Sequence, residues 1–389
     1  MKRNPTAVED SEKLALRDSG TISLFLCGDV MTGRGIDQVL HHPSNPRIYE
    51  THVKDARVYV RLAEKKNGPV PRPVPYEYIW GDALSELVQR APDVRLINLE
   101  TAVTKSENYW KGKGINYRMH PENIPCLTAA HIDVCSLANN HILDWGYEGL
   151  SETLRTLRET NIKVAGAGKT LKEAFHPALI KIKEKGRVII FSFGMRSSGI
   201  PSDWAATNER PGLNVLDTLT SSSLLKIREK LTSEKQPGDL LVASIHWGGN
   251  WGYEISGHQK STAHQLIDEV GFDVIHGHSS HHVKGIEVYK GKPILYGCGD
   301  FLTDYEGISG YEGFRDDLTL MYFVKMDTAT GRLVQLQMVP MQIKNFRLKR
   351  PSNKDTKWLF STLRKECKKL GAGVDQDADG TFSLSLKKN

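Results

Sequence analysis

Residues 136–150 read SLANNHILDWGYEGL, an Asn-Asn-His triplet set between an apolar segment and an amphipathic one. Asp133–Ala138 is apolar enough for a buried strand, and Leu150, Leu154 and Leu157 recur at helical spacing. The stretch predicts strand, turn and helix, with Asn139, Asn140 and His141 on the turn. Turns at the carboxyl ends of strands are where open α/β sheets place their chemistry. The same pattern, apolar segment then polar residues, recurs at Gly28-Asp29, at Asn98 with Glu100, at His246, and at HGHSSHH (His276–His282).

Working outward, strands are expected at Thr21–Cys27, Val94–Leu99, Asp133–Ala138, Lys163–Ala165, Arg187–Phe193, Asp239–His246 and Asp273–His276. Helices are expected from the turn GDVMTGR to about His41, then at Glu148–Thr160, Leu216–Leu231 and Gln259–Val270. After about Glu287 the pattern changes to hairpins: Gly285–Tyr289 with Pro293–Tyr296, and Thr319–Asp327 with Leu333–Met341. Parallel α/β units followed by antiparallel strands predict a two-sheet α/β sandwich rather than a plain dinucleotide-binding fold.

Residues 1–20 read as a disordered leader, 21–345 as a catalytic domain, and 346–389 as a helix and short strand packed on it. An insertion at 42–81 holds a helix near Thr51–Lys65 and the run PVPRPVP (Pro69–Pro75), which reads as a stiff spacer in preference to a lid. The basic amphipathic helix Thr356–Leu370 is expected to pack on the sandwich rather than on a membrane surface. DQDADG (Asp375–Gly380) opens like a calcium loop, but its twelfth position is Leu386 instead of glutamate, so a turn is expected.

Composition narrows the function classes. No apolar run approaches 18 residues, so no membrane span is indicated, and the amino terminus lacks the apolar core of a secretory signal. A net charge of +6, spread along the chain without a basic, aromatic-laced patch, argues against nucleic acid as a partner. Five cysteines, odd in number and without a C-x-x-C, argue against a disulfide framework and a zinc knuckle. Cys27, Cys135 and Cys298 read as buried small hydrophobes, and a reducing cytoplasm is the expected location.

The five polar strand ends together offer a metal-type donor set. Asp29 and Glu100 supply carboxylates, Asn140 an amide oxygen, and His246, His278 and His281 imidazoles, while His141 is left to act as an acid on a leaving group. Taken singly, Asp29 could be a cap, Asn139-Asn140 turn formers and His246 a core histidine. Four imidazoles within His276–His282 are costly to place without partners.

These residues fall in LFLCGDVMTGR, INLETAVT, SLANNHILDWGYEGL with TLRETNIKVAGAG, IHWGGNW, and GHSSHHVKGIEVYKGKPILYGCGDF. In them, from about Ser23 to Asp304, the chain resembles the CapA-like poly-γ-glutamate (capsule) biosynthesis family, a branch of the calcineurin-like metallophosphoesterases. The resemblance implies a four-layer α/β/β/α sandwich with a metal-type site between sheet ends. It implies Asp29, Glu100, Asn140, His246 and His281 as metal ligands, and His141 as acid or transition-state stabiliser. Asp29, Glu100 and His281 are also expected to be catalytic, and Asn139, Trp247, Trp251, Arg34 and Asp300 to bind substrate.

The chain departs from the family pattern at several positions. Met31 stands where typical metallophosphoesterases have histidine. Ser279-Ser280-His281 replaces the commoner H-P-H, leaving His278 or His282 to substitute. Asn250 replaces a glutamate, and Asp300 an asparagine. Three functions are compatible. The preferred one is a hydrolase or transferase using one or two divalent ions (Mn, Fe or Zn) on a phosphoester or a γ-glutamyl or peptide-type substrate. The second is a metal-free acid–base isomerase, a peptidyl amino-acid epimerase, needing no cofactor. The third is non-catalytic binding of an anionic polymer in capsule biosynthesis, with Trp247, Trp251 and Tyr253 beside His246. Expected partners are thus a small molecule, a peptide or an anionic polymer.

Overall fold

The computed structural model describes residues 20–216 and 219–385, so the expected leader lies, apart from Gly20, outside them. The strand Thr21–Val30 shows how the layers arise. Ile22, Leu24 and Leu26 alternate with Phe25 and Cys27, and both sets are buried in different cores. A strand with two apolar faces must be covered on both sides.

That strand lies inside a ten-stranded sheet. Its order is Gly373–Gln376, Phe382–Ser385, Leu333–Ile343, Leu318–Asp327, Thr21–Val30, Val94–Leu99, Val134–Ser136 and Lys163–Ala165, with two short strands off this path. A six-stranded sheet runs Ile286–Tyr289, Lys292–Leu295, Val274–His278, Leu240–His246, Gly186–Gly194 and Ala178–Ile182. Between the sheets, Leu24 and Leu26 share a core with Val188, Ile190, Val242 and Val274. Outside the larger sheet, Phe25 and Ile97 pack with Leu87, Leu150, Leu154 and Leu157 of the helices Ala83–Arg90 and Gly146–Glu159. Outside the smaller one, Ile189, Phe191 and Phe193 pack with Ile227 and Leu231 of Ser221–Glu234 and with Ala263, Leu266 and Ile267. The result is the α/β/β/α sandwich expected from the sequence.

Each sheet has a parallel part, one half of the larger and the middle of the smaller. Thr21–Val30, Val94–Leu99, Val134–Ser136 and Lys163–Ala165 run together in one, and Gly186–Gly194, Leu240–His246, Val274–His278 and Lys292–Leu295 in the other. Their carboxyl ends carry Asp29, Asn98 and, in the second sheet, His246 and His278.

Several boundaries differ from expectation. After GDVMTGR the helix is only Arg34–Asp37, because the Asp37 carboxylate is taken by the Ser44 amide (2.6 Å), the His120 amide (2.8 Å) and the Asn123 side chain (2.9 Å), which turns the chain away. The insertion helix is Arg57–Asn67, begun where Asp55 accepts the Arg57 amide at 2.9 Å. The helix expected at Leu216–Leu231 is Ser221–Glu234, started by a reciprocal cap between Thr220 and Ser223.

The proline-rich run is scaffold, which overturns the idea of a lid. Val70 and Val74 are buried in the outer core, and the Val74 amide donates to the Val39 carbonyl at 2.9 Å. Just beyond it, Trp80 is fully buried and donates its indole N–H to the Cys126 carbonyl at 2.6 Å. At the other end of the chain, Leu359, Leu363 and Cys367 of the helix Asn353–Lys368 enter the core between the sheets. Of the stretch Asp375–Gly380, Asp375 and Gln376 end the strand Gly373–Gln376 and Asp377–Gly380 forms the expected turn, its Gly380 amide on the Asp377 carbonyl at 3.0 Å. All five cysteines are buried and free, and among the described residues no helix is long and apolar enough to cross a membrane.

Candidate active site

A backbone irregularity aims the first acidic residue. The register between Thr21–Val30 and Val94–Leu99 shifts between Leu26 and Asp29, and the Asp29 amide donates to the Gly299 carbonyl at 2.9 Å. A Cβ on Gly28 would land on that same carbonyl oxygen, so only glycine allows the two segments to meet. Gly28→Ala is expected to cost on the order of 3 kcal/mol in urea unfolding; an unchanged midpoint would show that the Gly299 segment yields freely.

Asp29 Oδ1 accepts from the Asn98 amide at 2.7 Å, and Oδ2 accepts from the Ser279 backbone N–H at 3.1 Å. Oδ1 also lies 3.9 Å from His246 Nδ1 and 3.8 Å from His278 Nδ1, and those two nitrogens are 2.8 Å apart. The three donor atoms all fall within 4.8 Å of one another, and all three residues are buried. On the far side of its ring, His246 Nε2 faces Asn140 Oδ1 at 3.0 Å and Glu100 Oε1 at 3.5 Å. Burial, with the Asp300 charge adding to it, pushes Asp29 up to about 7 against the opposing Asn98 hydrogen bond. Burial also raises Glu100, with Asp29 and Asp300 next in effect, and holds His246 and His278 well below the usual imidazole value.

His141 stands beside this cluster, its Nε2 4.0 Å from Glu100 Oε1. Its backbone N–H donates to Asn139 Oδ1 at 3.1 Å, and the Asn139 amide donates to Asn98 Oδ1 (3.1 Å) and the Leu99 carbonyl (2.9 Å). Asn139 is therefore fully engaged and buried, and it positions the turn instead of touching substrate as expected. His141 Nδ1 is 2.7 Å from Asp144 Oδ2, and the ring stacks on Tyr117 at 3.8 Å between centroids. Asp144 also accepts the Tyr117 amide (2.6 Å) and pairs with Lys113 through its other oxygen. Burial first, then the Lys113 ammonium, keep His141 neutral, while burial lifts Asp144 to about 7 against Lys113.

These shifts give a pH dependence. Near pH 7 the lowered histidines are neutral in the native state but still partly protonated in the unfolded one, which favours folding as pH rises. Asp29 and Asp144, raised from 3.8 to about 7, still hold protons only in the native state. For these carboxylates, native protein binding more protons means stability falls as pH rises. Thermal melts of metal-free wild type should therefore lose ground to those of Asp144→Asn as pH climbs toward about 7, a difference in which the histidine contribution cancels, and a flat or rising difference would contradict the raised pKa.

Asp144, Lys113 and Tyr117 were not among the residues expected from the sequence. Asp144 had a signal: H-x-x-D places a carboxylate one turn beyond the imidazole. Lys113 and Tyr117 come from an irregular loop with no periodic pattern.

His281 lies outside the Asp29–His246–His278 cluster. Its Nδ1 is 3.0 Å from Asp300 Oδ1 and its Nε2 is 2.8 Å from the Asn250 side chain. Burial opposes its charged form, but the Asp300 carboxylate outweighs that and raises its pKa. Asp300, itself buried, thus supports His281. Neither Trp247 nor His282 fits its expected role. Trp247 is 1% exposed with its indole N–H on the Tyr296 carbonyl at 3.0 Å, so it is core rather than a substrate contact. His282 packs against Phe314 and Tyr253, with Nδ1 on the Val283 carbonyl at 3.2 Å, and so does not replace the missing motif histidine; His278 does enter the cluster.

His281 and Asn250 form one end of an open cavity of about 480 Å³, walled by Tyr59, Trp251, Tyr305 and Tyr311. Trp251 and Tyr311 are parallel, with centroids 4.0 Å apart. Arg34 reaches this cavity, but its guanidinium is held by Asp304 and by Glu50 (2.9 Å) and lies 3.8 Å over the Tyr59 ring. The segment 305–317, which supplies much of the wall, carried no signal in the sequence.

Two mixed sheets packed face to face, with an acid and imidazole cluster at their adjoining strand ends, define an α/β/β/α sandwich with a candidate cation site. Residues 23–305 match the family described as bacterial capsule synthesis protein PGA_cap, and the chain belongs to that family. It is 46% identical over 364 residues to a probable polyglutamine synthesis accessory protein of Mycobacterium tuberculosis, covering 93% of this chain and 96% of the other. It is 27% identical over 326 residues to the PGA biosynthesis protein CapA of Bacillus subtilis, covering 83% and 73%. A crystal structure described as a novel phosphatase of Mycoplasma pneumoniae aligns over 83% of this chain and 94% of that one, with a TM-score of 0.45 and 10% identity. A likeness at that level says nothing of the reaction.

Proposed function

We propose that this chain is a cation-assisted hydrolase or transferase acting on a phosphoester or on a γ-glutamyl or peptide-type bond. The observation that carries the reading is the pairing of His141, fixed by Asp144 at 2.7 Å, with the buried Asp29–His246–His278 donor set beside Glu100. One carboxylate oxygen and two imidazole nitrogens, all buried, fit a borderline divalent ion such as Mn, Fe or Zn. Asn140 Oδ1 and Glu100 Oε1, both against His246 Nε2, are the adjacent oxygens from which a second ion would draw ligands.

A divalent ion bound there would supply Lewis acidity and lower the pKa of water at the cluster. The chain's own residues do the rest. Once ionised above about pH 7, Asp144 takes the His141 Nδ1–H, which leaves the Nε2 lone pair free on the side of Glu100. That nitrogen takes a proton at the attacking atom and returns it to the departing oxygen or nitrogen. Lys113 neutralises Asp144, which keeps the pair fixed within a buried site. His281, Asn250 and the aromatic walls of the cavity hold the substrate beyond the reacting bond.

The names of the relatives, polyglutamine synthesis accessory protein and PGA biosynthesis protein, support an amide-linked polymer of amino-acid residues as the substrate. Five buried free cysteines support a reducing compartment, the cytoplasm. The test is metal analysis of purified protein, followed by assays on bis(p-nitrophenyl) phosphate and on poly-γ-glutamate. Stoichiometric metal, with turnover of either probe abolished by EDTA, is expected. Metal-free protein that exchanges deuterium at a peptide α-carbon despite EDTA would replace this reading with the isomerase one.

A further inference from the structure

Behind the cluster, away from the cavity, a buried line of polar groups runs from one sheet into the other. His276 Nε2 is 2.7 Å from the Cys27 backbone carbonyl, and His276 Nδ1 is 3.1 Å from Ser244 Oγ. Ser244 Oγ is in turn 3.0 Å from His278 Nε2, and His278 Nδ1 is 2.8 Å from His246 Nδ1. His276, Ser244 and His278 are all 0% exposed. We infer that Ser244 and His276 are positioning residues that fix the tautomer of His278, so that its Nδ1 lone pair always faces Asp29 and His246.

The direction of each hydrogen bond follows from what the groups can donate. A carbonyl oxygen only accepts, so the hydrogen of His276 sits on Nε2. Its Nδ1 then needs a donor, and the Ser244 hydroxyl is the group within reach. Ser244 has one hydrogen. Once that is given to His276, its oxygen can only accept from His278, so the His278 hydrogen sits on Nε2 and Nδ1 is bare. The reverse assignment leaves a buried acceptor on His276 unmet, which proteins avoid. At the other end, His246 Nδ1 lies 2.8 Å from that bare nitrogen, so without an ion its hydrogen sits on Nδ1 and is donated to His278. A cation that takes both Nδ1 atoms would draw them apart and move that hydrogen to His246 Nε2, which faces the Asn140 and Glu100 oxygens. Outer partners of this kind set ring orientation and ligand basicity in metal sites.

The tautomer stands without any ion; only its consequence for affinity rests on the cation-assisted reading. The experiment uses full-length protein labelled with 15N histidine. In metal-free wild type, long-range 1H–15N spectra are expected to show His278 protonated at Nε2 and bare at Nδ1; protonation at Nδ1 overturns the inference. Titration with Mn2+ alone by calorimetry is then expected to show an affinity about 10–100-fold weaker for Ser244→Ala and His276→Ala. Ser244→Thr, which keeps the hydroxyl, should stay within about threefold of wild type. Ser244→Ala with wild-type Mn2+ affinity and the same His278 tautomer overturns it. Should a variant fail to fold, the wild-type spectrum still decides. Wild type that binds no Mn2+ yet shows the bare Nδ1 supports the relay while removing the cation-assisted function.

Discussion

Asp144→Asn is expected to lower kcat by about 10²–10⁴-fold on bis(p-nitrophenyl) phosphate while KM stays within about threefold. Asp144 is fully buried and does not line the cavity, so substrate binding does not depend on it. Its role runs through His141, whose Nδ1 lies 2.7 Å from Asp144 Oδ2 and is proposed to donate to the ionised carboxylate. An asparagine of the same shape can turn its NH2 toward that nitrogen, which forces the hydrogen onto Nε2. The imidazole then offers a donor where the reaction needs a lone pair. Steady-state kinetics alongside a thermal melt check this, and a kcat within about threefold of wild type would show that the pair is structural only.

Asp29→Asn should have the second large effect, and its sign depends on the cation. Removing an outer partner in metal sites costs about 10–100-fold in affinity, so loss of a direct carboxylate ligand should weaken Mn2+ binding by about 100-fold or more. At a free ion concentration of 100 times the wild-type Kd, wild type gains about 2.7 kcal/mol, and the variant gains almost none of it. Without metal the order reverses. The Asp29 charge is buried against those of Asp300 and Glu100, so neutralising it should leave the metal-free variant at least as stable as wild type. Melts with and without Mn2+ separate the two effects. A variant that keeps the full Mn2+-dependent shift would mean that Asp29 is not a ligand.

The strand, turn and helix of residues 133–160 were legible because the apolar period changes across the Asn-Asn-His turn, and the other polar strand ends repeat that change. Asp29, Glu100, Asn140, His141, His246 and His278 do gather, since parallel strands deliver their carboxyl ends to the same side. Trp247 was misread because adjacent residues at a strand end point to opposite faces: His246 turns into the cluster and Trp247 into the outer core. His281 and His282 part in the same way, one to Asp300 and the cavity, the other to Phe314. The valines of PVPRPVP fill the outer core, a fact that a proline-rich composition hides. Lys113, Tyr117 and the 305–317 wall were illegible because their places depend on loops closing over large sequence separations, which no local period records.

Anomalous diffraction from crystals of the wild-type protein grown with Mn2+ addresses the central claim most directly. The account predicts a peak bonded to Asp29 Oδ1, His246 Nδ1 and His278 Nδ1. A map with no peak there, and the two imidazoles hydrogen-bonded to each other beside a protonated Asp29, would contradict it.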